Sequence, residues 1–201
     1  MAHIFRSLYD QTRCIGCNAC QMACKDEKDL EPGLFFRRVE TIQYEEDGEA
    51  ICVHYSGSCN HCLEAACVKA CPVGAMVRKE DGSVGQEAGR CIGCGACTWA
   101  CPYGAVSLSH KLGIARKCDS CADRRSSGKA PACVAACPTH CLTYRLEEEE
   151  SLGVGEGERA AHSSGEADIE DLYGAPDLPY LPDPALTKPA LRIRKKGGGR
   201  G

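Results

Sequence analysis

Four times along this chain a CxxC step is followed, after a variable gap, by a CxxxC step, and no other feature restricts the possible folds so severely. The groups are Cys14, Cys17, Cys20 and Cys24; Cys59, Cys62, Cys67 and Cys71; Cys91, Cys94, Cys97 and Cys101; and Cys118, Cys121, Cys133 and Cys137. Only the middle gap changes, at two residues in the first and third groups, four in the second and eleven in the fourth. A pattern that keeps both ends and varies only between them is an internal repeat of one supersecondary unit. With 18 cysteines among 201 residues, about 9 per cent, sulfur must carry much of the folding energy.

Sulfur needs a partner. Disulfides suit short secreted chains and do not call for thiols in tight triplets, and the stretch "MAHIFRSLYD" has neither an apolar h-region nor a cleavage site. The expectation is therefore a chain with no export signal of its own. Zinc uses CxxC knuckles but needs no third thiolate two residues further on, so it remains a competitor mainly at the fourth group. Three thiolates from CxxCxxC can instead grip three corners of an iron-sulfur cubane, while the cysteine beyond the next helical turn points elsewhere. In two-cluster ferredoxins the pattern CxxCxxCxxxCP sends that last cysteine to the other cluster. Four motifs then make two reciprocal pairs and hold four [4Fe-4S] clusters. Cys52 and Cys141 are left over, and both are expected to be buried structural thiols.

Composition excludes other classes. No apolar run approaches the roughly 18 residues of a membrane span. A formal charge of -4, from 24 basic and 28 acidic side chains, leaves no basic excess for nucleic acid. Three Phe, seven Tyr and one Trp are few for an ordinary core, so metal centres are expected to substitute for part of it.

Between the groups, "GLFFRRVETIQY", "EEDGE" and "AICVHY" read as a β-hairpin, and "AMVRKEDGSV" as a smaller one turning at Asp81 and Gly82. The closing half of each group suits a helical turn, with Pro131 at a first helical position. Three groups end in Cys-Pro, which stops the turn. The fold class expected is α+β: tandem bacterial-ferredoxin-like modules with an inserted β-hairpin and an extended C-terminal arm. Residues 1–146 would form the four-cluster domain. Residues 147–171, acidic and Gly-rich, would form a linker that buries too little apolar area to order itself. Residues 172–201, with Pro176, Pro179, Pro182, Pro184 and Pro189 spaced among Leu and Tyr, would form an arm laid on a partner surface.

No motif lacks a ligand, so no iron is left open to a substrate, and outer-sphere electron transfer is the chemistry that remains. Lys25, Lys69, Arg90, Arg116, Lys117, Arg124 and Arg125 stand close to the motifs, where they could offset cluster charge or serve as ordinary surface side chains. His61 is read as packing or hydrogen-bonding, and Trp99 as packing beside a cluster.

The stretches "CKDEKDLEPGLFFRRVE", "SCNHCLEAACVKACPVGAM", "CIGCGACTWACPYGA", "KCDSCADRR" and "PACVAACP", in this order, resemble the iron-sulfur electron-transfer subunits of the dimethyl sulfoxide reductase family. B subunits of polysulfide, thiosulfate, tetrathionate and nitrate reductases and of formate dehydrogenases share that architecture. The resemblance covers about residues 5–146, and "LPDPALTKPALRIRKK" also resembles the end of such a subunit. It implies which motifs pair, which spacing alone leaves open. Cys14, Cys17, Cys20 and Cys137 would hold one cluster, and Cys24, Cys118, Cys121 and Cys133 the next. Cys59, Cys62, Cys67 and Cys101 would hold another, and Cys91, Cys94, Cys97 and Cys71 the last. Lys25 stands where the ferredoxin rule has proline. The resemblance further implies a non-catalytic subunit with a molybdopterin catalytic subunit on one side and a quinol-linked membrane anchor on the other, in a peripheral, membrane-associated complex. That complex would face the cytoplasm or be co-exported with a catalytic subunit bearing a twin-arginine signal. An electron carrier for another machine, such as a hydrogenase or formate dehydrogenase, is the alternative, and a structural zinc protein the reading of another class.

Overall fold

The computed structural model describes residues 3–46, 48–148 and 180–196. The architecture is α+β, with short helices and strand pairs alternating along the chain. Strand β1 (His3–Asp10) leads to helix α1 (Ala19–Glu27), then β2 (Arg37–Glu46) and β3 (Glu49–Ser58). Helix α2 (Ala66–Lys69), β4 (Met76–Arg78), β5 (Val84–Gln86) and α3 (Ala96–Ala100) follow. Next come β6 (Val106–Ser109), β7 (Ile114–Lys117), α4 (Ala122–Ser126), α5 (Ala132–Ala135) and β8 (Leu142–Glu148). One 3-10 turn at Ala88–Arg90 precedes α3, and another at Pro184–Leu186 precedes β9 (Leu191–Arg194).

Proline position explains the helix lengths. Pro72, Pro102 and Pro138 each follow the last cysteine of a motif, and a residue before proline is pushed out of the helical region. Accordingly α2, α3 and α5 stop one or two residues before Cys71, Cys101 and Cys137. In the first motif Lys25 replaces that proline, and α1 runs on to Glu27 for nine residues.

β2 and β3 pair antiparallel from Arg37↔Ser58 to Glu46↔Glu49. β4 pairs with β5, and Asp81 Oδ1 accepts both the N–H (2.9 Å) and the hydroxyl (2.6 Å) of Ser83, an Asx turn beside Gly82 at φ 71°. β6 and β7 form a third antiparallel pair, which the sequence pattern does not announce because four-residue strands carry little periodicity. The largest sheet has the order β8-β1-β9, with β8 antiparallel and β9 parallel to β1.

Two expectations are corrected here. β8 continues to Glu148, so Glu147 and Glu148 belong to a strand paired with Ile4 and His3 rather than to a linker, while residues 149–171 lie outside the described residues. Residues 172–179 and 197–201 of the expected arm lie outside the described residues, and 180–196 lie on this chain's own body instead of standing out as an arm. The reason is a period-2 pattern: Leu191 and Ile193 are buried while Arg192 and Arg194 face outward, and β1 offers an open edge. Asp183 caps the 3-10 turn by accepting from Ala185 N–H at 2.8 Å. Gln11 Nε2 donates to Tyr180 Oη at 2.6 Å, Arg194 meets Asp10 at 3.4 Å, and the Tyr180 ring packs edge-on to Tyr55.

The core is divided and thin. One cluster gathers Tyr9, Tyr55, Leu142, Leu191 and Ile193 around Cys20, Cys133, Cys137 and Cys141. A second gathers Ala65, Met76, Val84, Val106 and Ala115 around Cys67 and Cys97. Leu30, Leu34 and Phe36 surround Cys24 in a third. Ile193 is 1% exposed, so truncation to alanine leaves a cavity under the main sheet. Ile193→Ala is expected to destabilise the anaerobically handled protein by about 3 kcal/mol, read as an earlier denaturant midpoint.

Candidate metal centre

The four CxxC loops share one left-handed backbone step. The third residue of each, Gly16, His61, Gly93 and Ser120, has a positive φ of 69°, 44°, 69° and 59°. This left-handed step turns the loop so that both cysteines face one side. Glycine does this without strain, and at Gly16 and Gly93 there is a second demand. A Cβ at Gly16 would stand 2.6 Å from the His54 ring, and one at Gly93 would collide with the backbone carbonyl of Gly113.

The helices after the loops pack in pairs, α1 against α5 and α2 against α3. The first motif thus meets the fourth, and the second meets the third. One pocket between α2 and α3 is lined by Cys71, Cys91, Cys94 and Cys97 with Ala75 and Met76. Its neighbour is lined by Cys59, Cys62, Cys67 and Cys101 with Ala105, Lys117 and Thr187. In each, three cysteines come from one motif and the fourth from its partner. On the other side Cys20 lies close to Cys133 and Cys137, and Cys24 close to Cys121 and Cys133. Cys17 and Cys94, the second cysteines of the two CIGC loops, are exposed.

Do these residues fit iron-sulfur clusters? Backbone N–H groups point at the sulfurs: Ala75 N–H donates to Cys71 Sγ at 3.1 Å, His61 N–H to Cys59 Sγ and Ser120 N–H to Cys118 Sγ, both at 3.4 Å. Such N–H···S bonds are the way a protein stabilises a thiolate-ligated cluster. Among the described residues no three His, Cys, Asp or Glu side chains converge as a single ion requires. A cubane spreads its ligands over four irons, so its cysteines need not converge on one point.

Burial sets the thiols against ionisation. It pushes Cys24 up to about 12, and Cys62 and Cys67 up to about 11, with neighbouring cysteines adding to the effect. Cys71 moves the other way, because four backbone N–H groups from Val73 to Met76 outweigh its desolvation. Metal must therefore displace protons from buried thiols such as Cys24, Cys62 and Cys67 as it binds.

Two buried cations lie among the sulfurs. Lys117, 5% exposed, donates to the carbonyls of Val84 and of Cys118, and its ammonium is drawn to Cys59 and Cys118. Burial opposes its charge, but those sulfurs outweigh it and hold its pKa above the ordinary lysine value. Arg37, 6% exposed, donates to Ser56 O (2.9 Å), Ser56 Oγ (3.0 Å) and Ser58 Oγ (2.9 Å) and faces Cys133, Cys20, Cys118 and Cys24. Lys117 is one of the basic residues that adjoin a motif in the sequence. Arg37 is not, since it is distant from every motif along the chain, and only the pairing of β2 with β3 brings it to the sulfurs. The remaining basic residues do other work: Lys25 binds the carbonyls of Glu31 and Leu34, and Lys69 pairs with Glu64 at the surface. Arg90 pairs with Glu87, Arg116 binds Lys28 O, Arg124 pairs with Glu27, and Arg125 with Asp81 at 2.5 Å.

His61 is buried, its Nδ1 accepts from Val84 N–H at 3.0 Å, and its ring stands edge-on to Phe5. Trp99 is 90% exposed instead of packed beside a cluster, because it sits two helical positions from the buried Cys97 and so faces away from it. Cys52 is likewise exposed, on the outer face of β3 next to the buried Val53. Cys141 is buried, 3.4 Å from Cys137 Sγ. Its interaction with Cys14, followed by burial, raises its pKa, and the same pairing lowers that of Cys14.

The loops, the paired helices and the sulfur-lined pockets define a ferredoxin-like protein of the two-cluster kind, and residues 13–75 and 50–147 each match the 4Fe-4S dicluster domain family. Over 199 residues the sequence is 44% identical to the B chain of the anaerobic dimethyl sulfoxide reductase of Escherichia coli (strain K12), an alignment taking in 95% of this protein and 88% of that one. It is 41% identical to the thiosulfate reductase electron transfer subunit PhsB of Salmonella typhi, over 83% of its own length and 89% of the relative. The B subunit of the tetrathionate reductase of Salmonella typhimurium is 39% identical, over 67% of this sequence and 55% of that relative. The chain belongs to the family of iron-sulfur electron-transfer subunits that includes these relatives.

The collision at Gly93 gives a direct check on the loop. Gly93→Ala is expected to cost the purified protein about four irons, measured by metal analysis against the unaltered chain.

Proposed function

We propose that this chain is the non-catalytic electron-transfer subunit of a molybdopterin oxidoreductase of the dimethyl sulfoxide reductase type, relaying electrons through four [4Fe-4S] clusters. The clusters supply one-electron redox chemistry, and this chain supplies ligands, charge and distance. The observation that carries the reading is the composition of the two pockets between α2 and α3, each with three cysteines from one motif and one from the other.

In this reading Cys91, Cys94, Cys97 and Cys71 hold one cluster, and Cys59, Cys62, Cys67 and Cys101 its neighbour. Cys24, Cys118, Cys121 and Cys133 hold the third, supported by the closeness of Cys24 to Cys121 and Cys133. Cys14, Cys17, Cys20 and Cys137 hold the fourth, supported by the closeness of Cys20 to Cys137. The electrostatic influence of Cys59 on Cys118 supports a row in which the two pairs adjoin there. Lys117 lies at that junction and offsets negative charge on both sides.

At the ends of the row stand the exposed Cys17, with Ile15 and Met22 exposed beside it, and the exposed Cys94, with Ile92 and Trp99. These ends suit docking to the two electron partners, a molybdopterin catalytic subunit and a quinol-linked membrane anchor. Among the described residues no helix is long and apolar enough to cross a membrane, so the attachment proposed is peripheral.

Anaerobically purified protein is expected to contain about sixteen irons per chain, four for each set of four cysteines; eight or fewer, without loss on purification, would refute the four-cluster reading. Lys117→Met removes a buried positive charge between two clusters and so disfavours their reduced, more negative states. It is expected to lower the potentials of two clusters and leave the others in place, read by redox titration with EPR detection.

A further inference from the structure

Cys141 belongs to none of the four motifs, yet the backbone repeat puts it at the wall of a cluster site. The second, third and fourth motifs close with the same five-residue turn, "CPVGA" from Cys71, "CPYGA" from Cys101 and "CPTHC" from Cys137. In each, the fourth residue donates its N–H to the carbonyl of the cysteine that opens the turn, at 3.3, 3.2 and 3.2 Å. That fourth residue, Gly74, Gly104 or His140, has a φ of 60°, 59° or 50°. The fifth residue is Ala75, Ala105 or Cys141.

The two alanines show what the fifth place faces. Ala75 lines the pocket of Cys91, Cys94 and Cys97, and Ala105 lines that of Cys59, Cys62 and Cys67. Cys141 puts a thiol where the repeat otherwise has only a methyl group. Its Sγ is 3.4 Å from Cys137 Sγ, its carbonyl is pinned by Asp10 N–H at 2.8 Å, and it is 4% exposed.

We propose that Cys141 donates an S–H···S hydrogen bond to the ligand sulfur of Cys137 and thereby raises the reduction potential of the cluster held by Cys14, Cys17, Cys20 and Cys137. The inference rests on the four-cluster reading above. Once Cys14 and Cys137 bind iron they have no proton to give, so the hydrogen in the Cys137 contact is that of Cys141. A donor at a ligand sulfur withdraws electron density and favours the reduced cluster. The thiol is a weak donor, but in this site it adds to the backbone N–H groups rather than replacing them.

The test uses the full chain, whose unaltered form has first given about sixteen irons, so failure of the four-cluster reading would be seen before any variant is made. Cys141→Ala installs the residue that the repeat uses at Ala75 and Ala105. Redox titration with EPR detection is expected to show full iron content, one signal shifted to lower potential and three unmoved. The moved signal should be the one lost in Cys17→Ser. Cys141→Ser, which keeps a donor, should shift it less. Four unmoved potentials in Cys141→Ala would overturn the proposal, and so would loss of a quarter of the iron, which would make Cys141 a ligand.

Discussion

Everything in this fold depends on helices too short to stand alone being packed against partners from distant parts of the chain. Four- and five-residue helices have no independent stability in water. α2 and α5 persist because α3 and α1 cover them, and because cysteine sulfur fills the space between. Between α2 and α3 the apolar residues around those sulfurs include small ones, Ala65, Ala75 and Ala115. A core of this kind leaves room for something other than side chains, and burial holds thiols such as Cys24, Cys62 and Cys67 protonated until metal displaces the proton. Cofactor insertion and completion of the fold are therefore coupled events.

The buried cations follow from the same constraint. An unpaired ammonium or guanidinium in a protein interior is strongly destabilising unless negative charge lies beside it. The head groups of Lys117 and Arg37 direct their hydrogen bonds to carbonyls and hydroxyls, which carry no full charge. Their counter-charge is sulfur. A polypeptide that carries this much thiolate needs permanent positive charge inside it, and the β2–β3 hairpin is the element that delivers Arg37 to that place.

The chemistry is legible in the sequence, and much of the scaffold is not. Spacing identifies the motifs because ligand geometry fixes it, and Asp81-Gly82 announces a turn because few dipeptides adopt one so readily. β6, β7 and β9 escape notice, since strands of four residues hold too few alternations to distinguish from loop. The motif pairing cannot be read from spacing and comes only by resemblance, because nothing local says which distant helix a given helix will meet. Trp99 and Cys52 defy expectation for a related reason: side-chain direction on a short element depends on phase, and a shift of one or two residues reverses it. The parts played by Arg37 and Cys141 are hidden because one is remote in sequence and the other shows its meaning only when three turns are superimposed.

The parallel pairing of β9 with β1 has a bearing on how the protein is made. Residues 191–194 leave the ribosome after every cysteine has already emerged, and the edge of β1 they occupy stays bare until then. Just upstream, the carbonyls of Thr187 and Lys188 accept from Glu64 and Leu63 N–H beside Cys62. This late segment thus acts as a clasp, shutting the sheet and one sulfur-lined cavity together. Without residues 187–194, the edge of β1 and the Cys62 side of that cavity would lack their cover.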